Sequence, residues 1–206
     1  MAEADFFKLE AKASTARSVR SVEARTSAEV VVAVRRRSGE YRPAAYHFGF
    51  GVSSLVVLYL LLTPDLYSVG AIALDAAIGF GLGLLLALNI GPLLRGLVRA
   101  RALEQSAADA ARVAFFELGI SRTASRTGVL VFVSTFEQRC IVLTDIGIDV
   151  PALGPQWPAC CAELSRCVRA RDLAAFERAL ESMGPILGAR LPRSSDDVNE
   201  LADEVR

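Results

Sequence analysis

The apolar residues of this chain are massed in its middle. Residues 44–63 read AAYHFGFGVSSLVVLYLLLT and residues 66–88 read LYSVGAIALDAAIGFGLGLLLAL. Each stretch has about 20 residues, the length an α-helix needs to cross the roughly 30 Å hydrocarbon core of a bilayer. Only Pro64-Asp65 separates them, so the pattern predicts a helical hairpin closed by a tight turn. A hairpin enters and leaves the membrane on one side. The flanking segments, residues 1–43 and 92–192, then share a compartment and fold together as one soluble domain. Residues 193–206 follow as an acidic tail. Without the hairpin (44–91), about 155 residues remain, enough for one domain with its own core.

Charge sets the expected orientation. Arg35, Arg36, Arg37 and Arg42 precede the first span, and Arg95, Arg99 and Arg101 follow the second, while the turn has no Lys or Arg. By the positive-inside rule both termini are cytoplasmic and the protein is integral to the cell inner membrane. The opening MAEADFFKLEAK has no apolar core of a signal peptide. A chain with 23 basic and 23 acidic residues gives no reason to expect nucleic acid as a partner. The lipid bilayer is the expected partner, with a second copy or another membrane protein beside it.

The soluble segments alternate between the two periodicities. Residues 3–25 carry Phe6, Phe7, Leu9, Ala13, Ala16 and Val19 at helical spacing. EVVVAVR (29–35), GVLVFVS (128–134) and RCIVLT (139–144) read as strands, the last two as a hairpin. Residues 99–118 predict a helix that Gly119 caps. Residues 158–168 and 173–183 predict two more, with Asp172 capping the second, and Ser194 or Ser195 would cap a tail helix. Apolar strands without alternation imply a sheet covered on both faces, hence an α/β layer domain. The first two strands, joined by a long crossover, should be parallel, with the hairpin inserted between them.

Three motifs resemble one family. RTGVLVFVS (126–134) followed by IVLTDIGI (141–148) is similar to the signature of the TPM domain, and TSAEVVVAV (26–34) is similar to its opening T-x-x-E strand. Trp157 and the helices after it fall in the expected order, so the resemblance covers roughly residues 5–192. It is nearest to a bacterial branch of membrane proteins with two spans inserted after the first strand. The resemblance implies a small mixed sheet sandwiched by helices, of four strands where three are visible here. It also implies functions as unlike as acid phosphatase activity in a thylakoid branch and auxiliary-subunit duty on a receptor channel, both outside the cytoplasm.

Candidate sites follow from residue chemistry. Asp145 and Asp149, in D-I-G-I-D past a strand end, offer oxygen ligands suited to Ca²⁺ or Mg²⁺. The family's D-x-G position makes Asp145 the place where the resemblance puts a metal or phosphate, and Glu29 matches its T-x-x-E. Arg126 and Arg139 are candidates for bidentate phosphate contact. Cys140, Cys160, Cys161 and Cys167 lack metal-site spacing and read as buried thiols. The soluble part has no His, because His47 lies in the first span, which excludes a His-dependent phosphatase.

Asp75 lies about ten residues into the second span, with His47, Tyr46, Ser53, Ser54 and Tyr59 as candidate partners; an acid there marks a functional site by default. Gly79 and Gly83 form a GxxxG for close packing within the hairpin or between copies. The leading expectation is a membrane-anchored, non-enzymatic binding or assembly module, with divalent-ion binding. The alternative is a metal-assisted phosphatase using Asp145, and a third reading is an oligomeric transport component built around Asp75.

Overall fold

The computed structural model describes residues 9–193. In chain order the elements are α1 (Leu9–Glu23), β1 (Glu29–Arg35), α2 (Arg42–Leu62), α3 (Val69–Asn89), α4 (Gly91–Leu97), α5 (Ala100–Glu117), β2 (Gly128–Ser134), β3 (Arg139–Thr144), α6 (Gln156–Ala170), α7 (Leu173–Glu181) and α8 (Met183–Gly188). Among these residues, 9–38 and 104–193 form one compact unit and Gly39–Leu103 forms another. Phe6, Phe7 and the helix expected after Ser194 or Ser195 lie outside the described residues.

The first unit is a three-stranded mixed sheet, ordered β1-β2-β3, between two helical layers. β1 runs parallel to β2, with Glu29 opposite Gly128 and Arg35 opposite Ser134. β2 and β3 are antiparallel, from Val129 opposite Thr144 to Ser134 opposite Arg139. The fourth strand implied by the resemblance is not among the described residues. Every residue of β2 is buried, as a central strand covered on both faces requires. Its side chains alternate between two cores. Val129, Val131 and Val133 join Val30, Val32, Val19, Trp157, Leu164, Phe176 and Leu180 on one face. Leu130 and Phe132 join Val31, Ala33, Ala111, Ala114 and Phe115 on the other. Both cores are made entirely of residues from this unit.

Polar side chains join the helices to one another and to the edge strand. Ser14 and Thr15 of α1 donate to the Glu177 carboxylate on α7, and Ser18 donates to Glu181 at 2.9 Å. Glu23 accepts the Val30 N–H of β1 at 3.0 Å, occupying a backbone donor that an edge strand would otherwise leave open. Asp172 caps α7 by accepting from Ala175 N, as expected, but α7 ends at Glu181. A separate α8 follows Ser182.

The second unit holds two helices long and apolar enough to cross a membrane, α2 and α3. They pack antiparallel: Gly83 meets Gly49 and Val52, whereas Gly79 meets Ser53 and Val56. A Cβ on Gly83 would lie 3.0 Å from the Gly49 Cα, so the backbones approach at small residues. Phe50 and Phe80 meet in a tilted arrangement with centroids 4.8 Å apart. The connection differs from the predicted two-residue turn. α3 starts at Val69 because the Ser68 side chain accepts from Ala71 N, leaving residues 63–68 outside both helices. Apolar Leu66 and Tyr67 belong to this link, since a cap outranks hydrophobicity in setting a helix start. A short α4, begun at Gly91-Pro92, packs against both long helices and buries Leu94.

Candidate functional site

Two candidate carboxylates, Glu29 and Asp145, share one row of the sheet. Glu29 is opposite Gly128, and Asp145 continues the ladder on the other side by donating its N–H to the Gly128 carbonyl at 2.8 Å. Both residues are buried. The space over Gly128 is filled by Ile120, whose carbonyl oxygen would lie 2.5 Å from any Cβ there. The row is closed, not a cleft.

Asp145 is engaged locally. Its Oδ1 accepts the Ile146 N–H at 2.8 Å, and Arg126 Nε lies 2.9 Å from Oδ2. That second contact is an ion pair without the alignment of a hydrogen bond. The Arg126 carbonyl in turn accepts from Gly147 N at 2.9 Å, and Arg126 is held at φ +58°. Gly147 is demanded by this interlock: a Cβ would fall 2.4 Å from the Ser125 carbonyl oxygen. Asp149 is exposed beyond the turn and caps nothing with its side chain. Among the described residues no three of His, Cys, Asp and Glu converge as metal ligands. Glu29, Asp145 and Asp149 therefore do not form one coordination set here.

Arg126 and Arg139 are not brought together either. Arg139 faces Ser134 at the far end of β3, six residues along the ladder, or roughly 20 Å at ~3.3 Å per residue. Its Nη1 donates to the neighbouring Gln138 carbonyl at 3.2 Å. A shared phosphate clamp would need both guanidinium groups at one end.

Strand direction also corrects where a ligand crevice belongs. Asp145 follows the carboxyl end of β3, but β3 is antiparallel, so Asp145 lies at the amino end of the parallel pair β1 and β2. The crevice rule concerns the carboxyl ends of parallel strands. At that end sits a buried polar knot that the sequence pattern did not single out. The Glu137 carboxylate, 1% exposed, accepts from Ser38 N at 2.9 Å and from the Ser134 hydroxyl. Ser38 and Ser134 hydroxyls are 2.7 Å apart. Thr135 N and Phe136 N donate to the carbonyls of Arg35 and Arg36, and Arg37 covers the Phe136 ring at 4.4 Å. Ser134 is wholly buried, so the arrangement fastens the end of β1 and presents no nucleophile to solvent. Ser-x-x-Glu beginning on the last residue of a parallel strand was the available signal.

The cysteines are free thiols, three of them buried and Cys161 half-buried. Burial drives the Cys140 thiol well above the ordinary range, with the other three cysteines adding to the effect. Burial, with neighbouring Cys160, pushes Cys161 up to about 11. Cys160 and Cys167 are also raised, chiefly by burial. At neutral pH all four remain thiols, which removes a thiolate nucleophile. A groove of about 490 Å³ between α6 and α7 is lined by Glu163, Arg166, Cys167, Asp172, Arg178 and Ser182. Two of its charges satisfy each other, Arg166 holding Glu163 through 2.6–2.9 Å contacts, and Asp172 accepts from Ala175 N.

In the second unit, Asp75 is six residues into α3, about 9 Å along its axis at 1.5 Å per residue. This is shallower than a start at Leu66 implied. None of its expected partners reaches it among the described residues. His47 Nδ1 contacts the Pro43 carbonyl at 2.6 Å, Ser54 donates to Phe50 O, and Ser53 donates across the pair to Ala76 O. Gly79 and Gly83 are consumed within the α2–α3 seam and are not free for a contact between copies.

No protein-family model matches the sequence, and no curated protein does. The fold is similar to the NMR structure of the BA42 protein from the psychrophilic bacterium Bizionia argentinensis, with a TM-score of 0.56 and 14% sequence identity over 96% of this chain and 92% of that one. At that identity the likeness speaks for the mixed α/β fold alone.

Proposed function

We propose that this protein is a membrane-anchored binding or assembly module: α2 and α3 cross the inner membrane as a hairpin, and a TPM-like domain stands on the cytoplasmic side. The observation that carries the reading is the exposure of the two apolar helices. Only 17% of the apolar window of each is buried, whereas a core helix of a soluble protein is buried around most of its circumference. Leu55, Leu58, Leu61 and Leu62 on α2 and Leu74, Ile78, Leu82 and Leu85 on α3 are each at least half exposed. A contiguous surface of that kind calls for a solvent as apolar as itself. Arg42 at the start of α2 and Arg95, Arg99 and Arg101 after α3 favour the cytoplasm for both flanks. The three matching motifs support the TPM-like assignment of the small domain.

A binding role fits the soluble unit better than turnover does. Two of its buried acids are occupied locally: Glu137 by two serines, and Asp145 by Arg126 and a backbone N–H. The membrane placement is tested by alkaline carbonate extraction and vesicle flotation of the full chain. Retention in the pellet and flotation are expected; release into the carbonate supernatant overturns the anchor. Hydrolysis of p-nitrophenyl phosphate with Mg²⁺ or Ca²⁺ that disappears in Asp145→Asn would instead select the phosphatase.

A further inference from the structure

The second unit carries an apolar groove with a cation at its rim. Ala44, His47, Phe48, Gly51, Val52 and Leu55 form its long wall on α2, and Leu97 at the end of α4 and Arg99 just beyond it close the groove; its volume is about 810 Å³. That lies in the range of roughly 300–1,000 Å³ typical of small-molecule sites. Gly51 keeps it open, since a Cβ there would meet nothing within 4 Å. The groove extends from Ala44 to Leu55, about 16 Å along α2 at 1.5 Å per residue. This is close to half of the ~30 Å hydrocarbon core, the depth of one leaflet.

The polar group at the rim is unspent. Arg99 is exposed, and its guanidinium has no hydrogen bond or ion pair among the described residues. The His47 ring is turned to its own helix through the Pro43 carbonyl at 2.6 Å and serves as wall. α4 packs on both long helices, so Leu97 and Arg99 lie at the base of the pair, where α2 begins and α3 ends. In the membrane reading, on which this inference rests, that base meets the cytoplasmic headgroups.

We infer that the groove is a binding site for an anionic phospholipid of the surrounding bilayer: one acyl chain lies along α2 over Gly51, and Arg99 holds the headgroup phosphate. The guanidinium supplies paired donors for phosphate oxygens, and a basic residue at the headgroup level favours anionic over zwitterionic lipid. A protein partner would have to compete with lipid for a groove one leaflet deep.

The test reconstitutes the full chain into vesicles of equimolar phosphatidylglycerol and phosphatidylcholine, releases it in mild detergent, and identifies retained lipid by native mass spectrometry. Wild type is expected to retain phosphatidylglycerol in about fivefold excess, the scale of one basic contact at the membrane surface. Arg99→Gln should return the ratio to that of the vesicles while lipid is still bound. Gly51→Leu, which fills the groove, should reduce retained lipid of both kinds. A wild-type ratio equal to the vesicles, or an excess that survives Arg99→Gln, overturns the site. Should Gly51→Leu not fold, Arg99→Gln decides alone. Flotation of the same samples separates the two readings: protein that floats without lipid preference defeats the groove only, and protein that does not float defeats the membrane anchor and the groove together.

Discussion

Gly147 and Cys161 show how single residues are fixed by their surroundings. Gly147 lies against the carbonyl oxygens of Ser125 and Arg126, at 2.4 and 2.6 Å from a notional Cβ. Backbone cannot swing aside as a side chain does, so Gly147→Ala should cost about 1–3 kcal/mol, read as a lower urea midpoint with unchanged slope. Cys161 titrates differently in the two states. Its thiol is raised from 9.0 to about 11 in the fold, so the unfolded chain loses this proton first. The associated stability is complete below the ordinary value and is lost as pH rises through that window. With partial solvent contact the effect is on the order of 1 kcal/mol. Cys161→Ala should flatten that part of the pH profile, and an unchanged profile would sink the assignment. Residue types such as these are legible in a sequence, but their constraint is not. Gly147 reads as an ordinary turn glycine until the Arg126 carbonyl is seen above it. Glu137 reads as a solvated turn acid until Ser38 and Ser134 close on it.

At the level of elements, both the strands and their directions are legible: β1 and β2 are parallel across the long crossover, and β2 and β3 form the antiparallel hairpin. β1, β2 and β3 begin and end where their β-branched runs do, because side-chain packing on a pleated surface is a local preference. The start of α3 was misplaced because Leu66 and Tyr67 are as apolar as the helix they precede, and only the Ser68 cap separates them. Asp145 follows a strand end, but the hairpin that makes β3 antiparallel returns it to the amino end of the parallel pair, where the crevice rule does not apply. The α2–α3 seam gives the sharpest test at this scale. Gly83 faces Gly49 and Val52, while Gly81 faces nothing within 4 Å. Gly83→Leu should therefore lower the thermal midpoint in detergent micelles by several degrees, and Gly81→Leu should leave it within error. Equal effects would mean that α3 presents another face to α2. Asp172→Ala removes the cap on Ala175 N and should cost about 1 kcal/mol, measured by chemical denaturation.

The whole molecule is two units with separate interiors. Both apolar cores belong to the unit built from residues 9–38 and 104–193. Replacing residues 39–103 by a flexible Gly/Ser linker should thus yield a soluble protein that unfolds in one cooperative transition. Aggregation on expression, or a broad non-cooperative transition, would show that the sheet needs the inserted helices. The division into an apolar pair and a layered domain was visible from the distribution of hydrophobic residues alone. The knot at Ser38, Ser134 and Glu137 was not, since it joins residues 96 and 99 positions apart in the chain.

The pairing of Glu29 with Gly128 also sets a timetable for synthesis. These partners are 99 positions apart, and both apolar helices lie between them. At roughly 5–20 residues per second on the ribosome, β1 emerges some 5–20 s before the strand that covers it. Throughout that interval the run Val30–Val34 has no strand neighbour, and the β1–β2 pairing awaits closure of a very large loop. The two most apolar segments of the chain are therefore synthesised before its sheet can close. Slowing translation after β1 should lengthen the period in which that strand is open to misassembly.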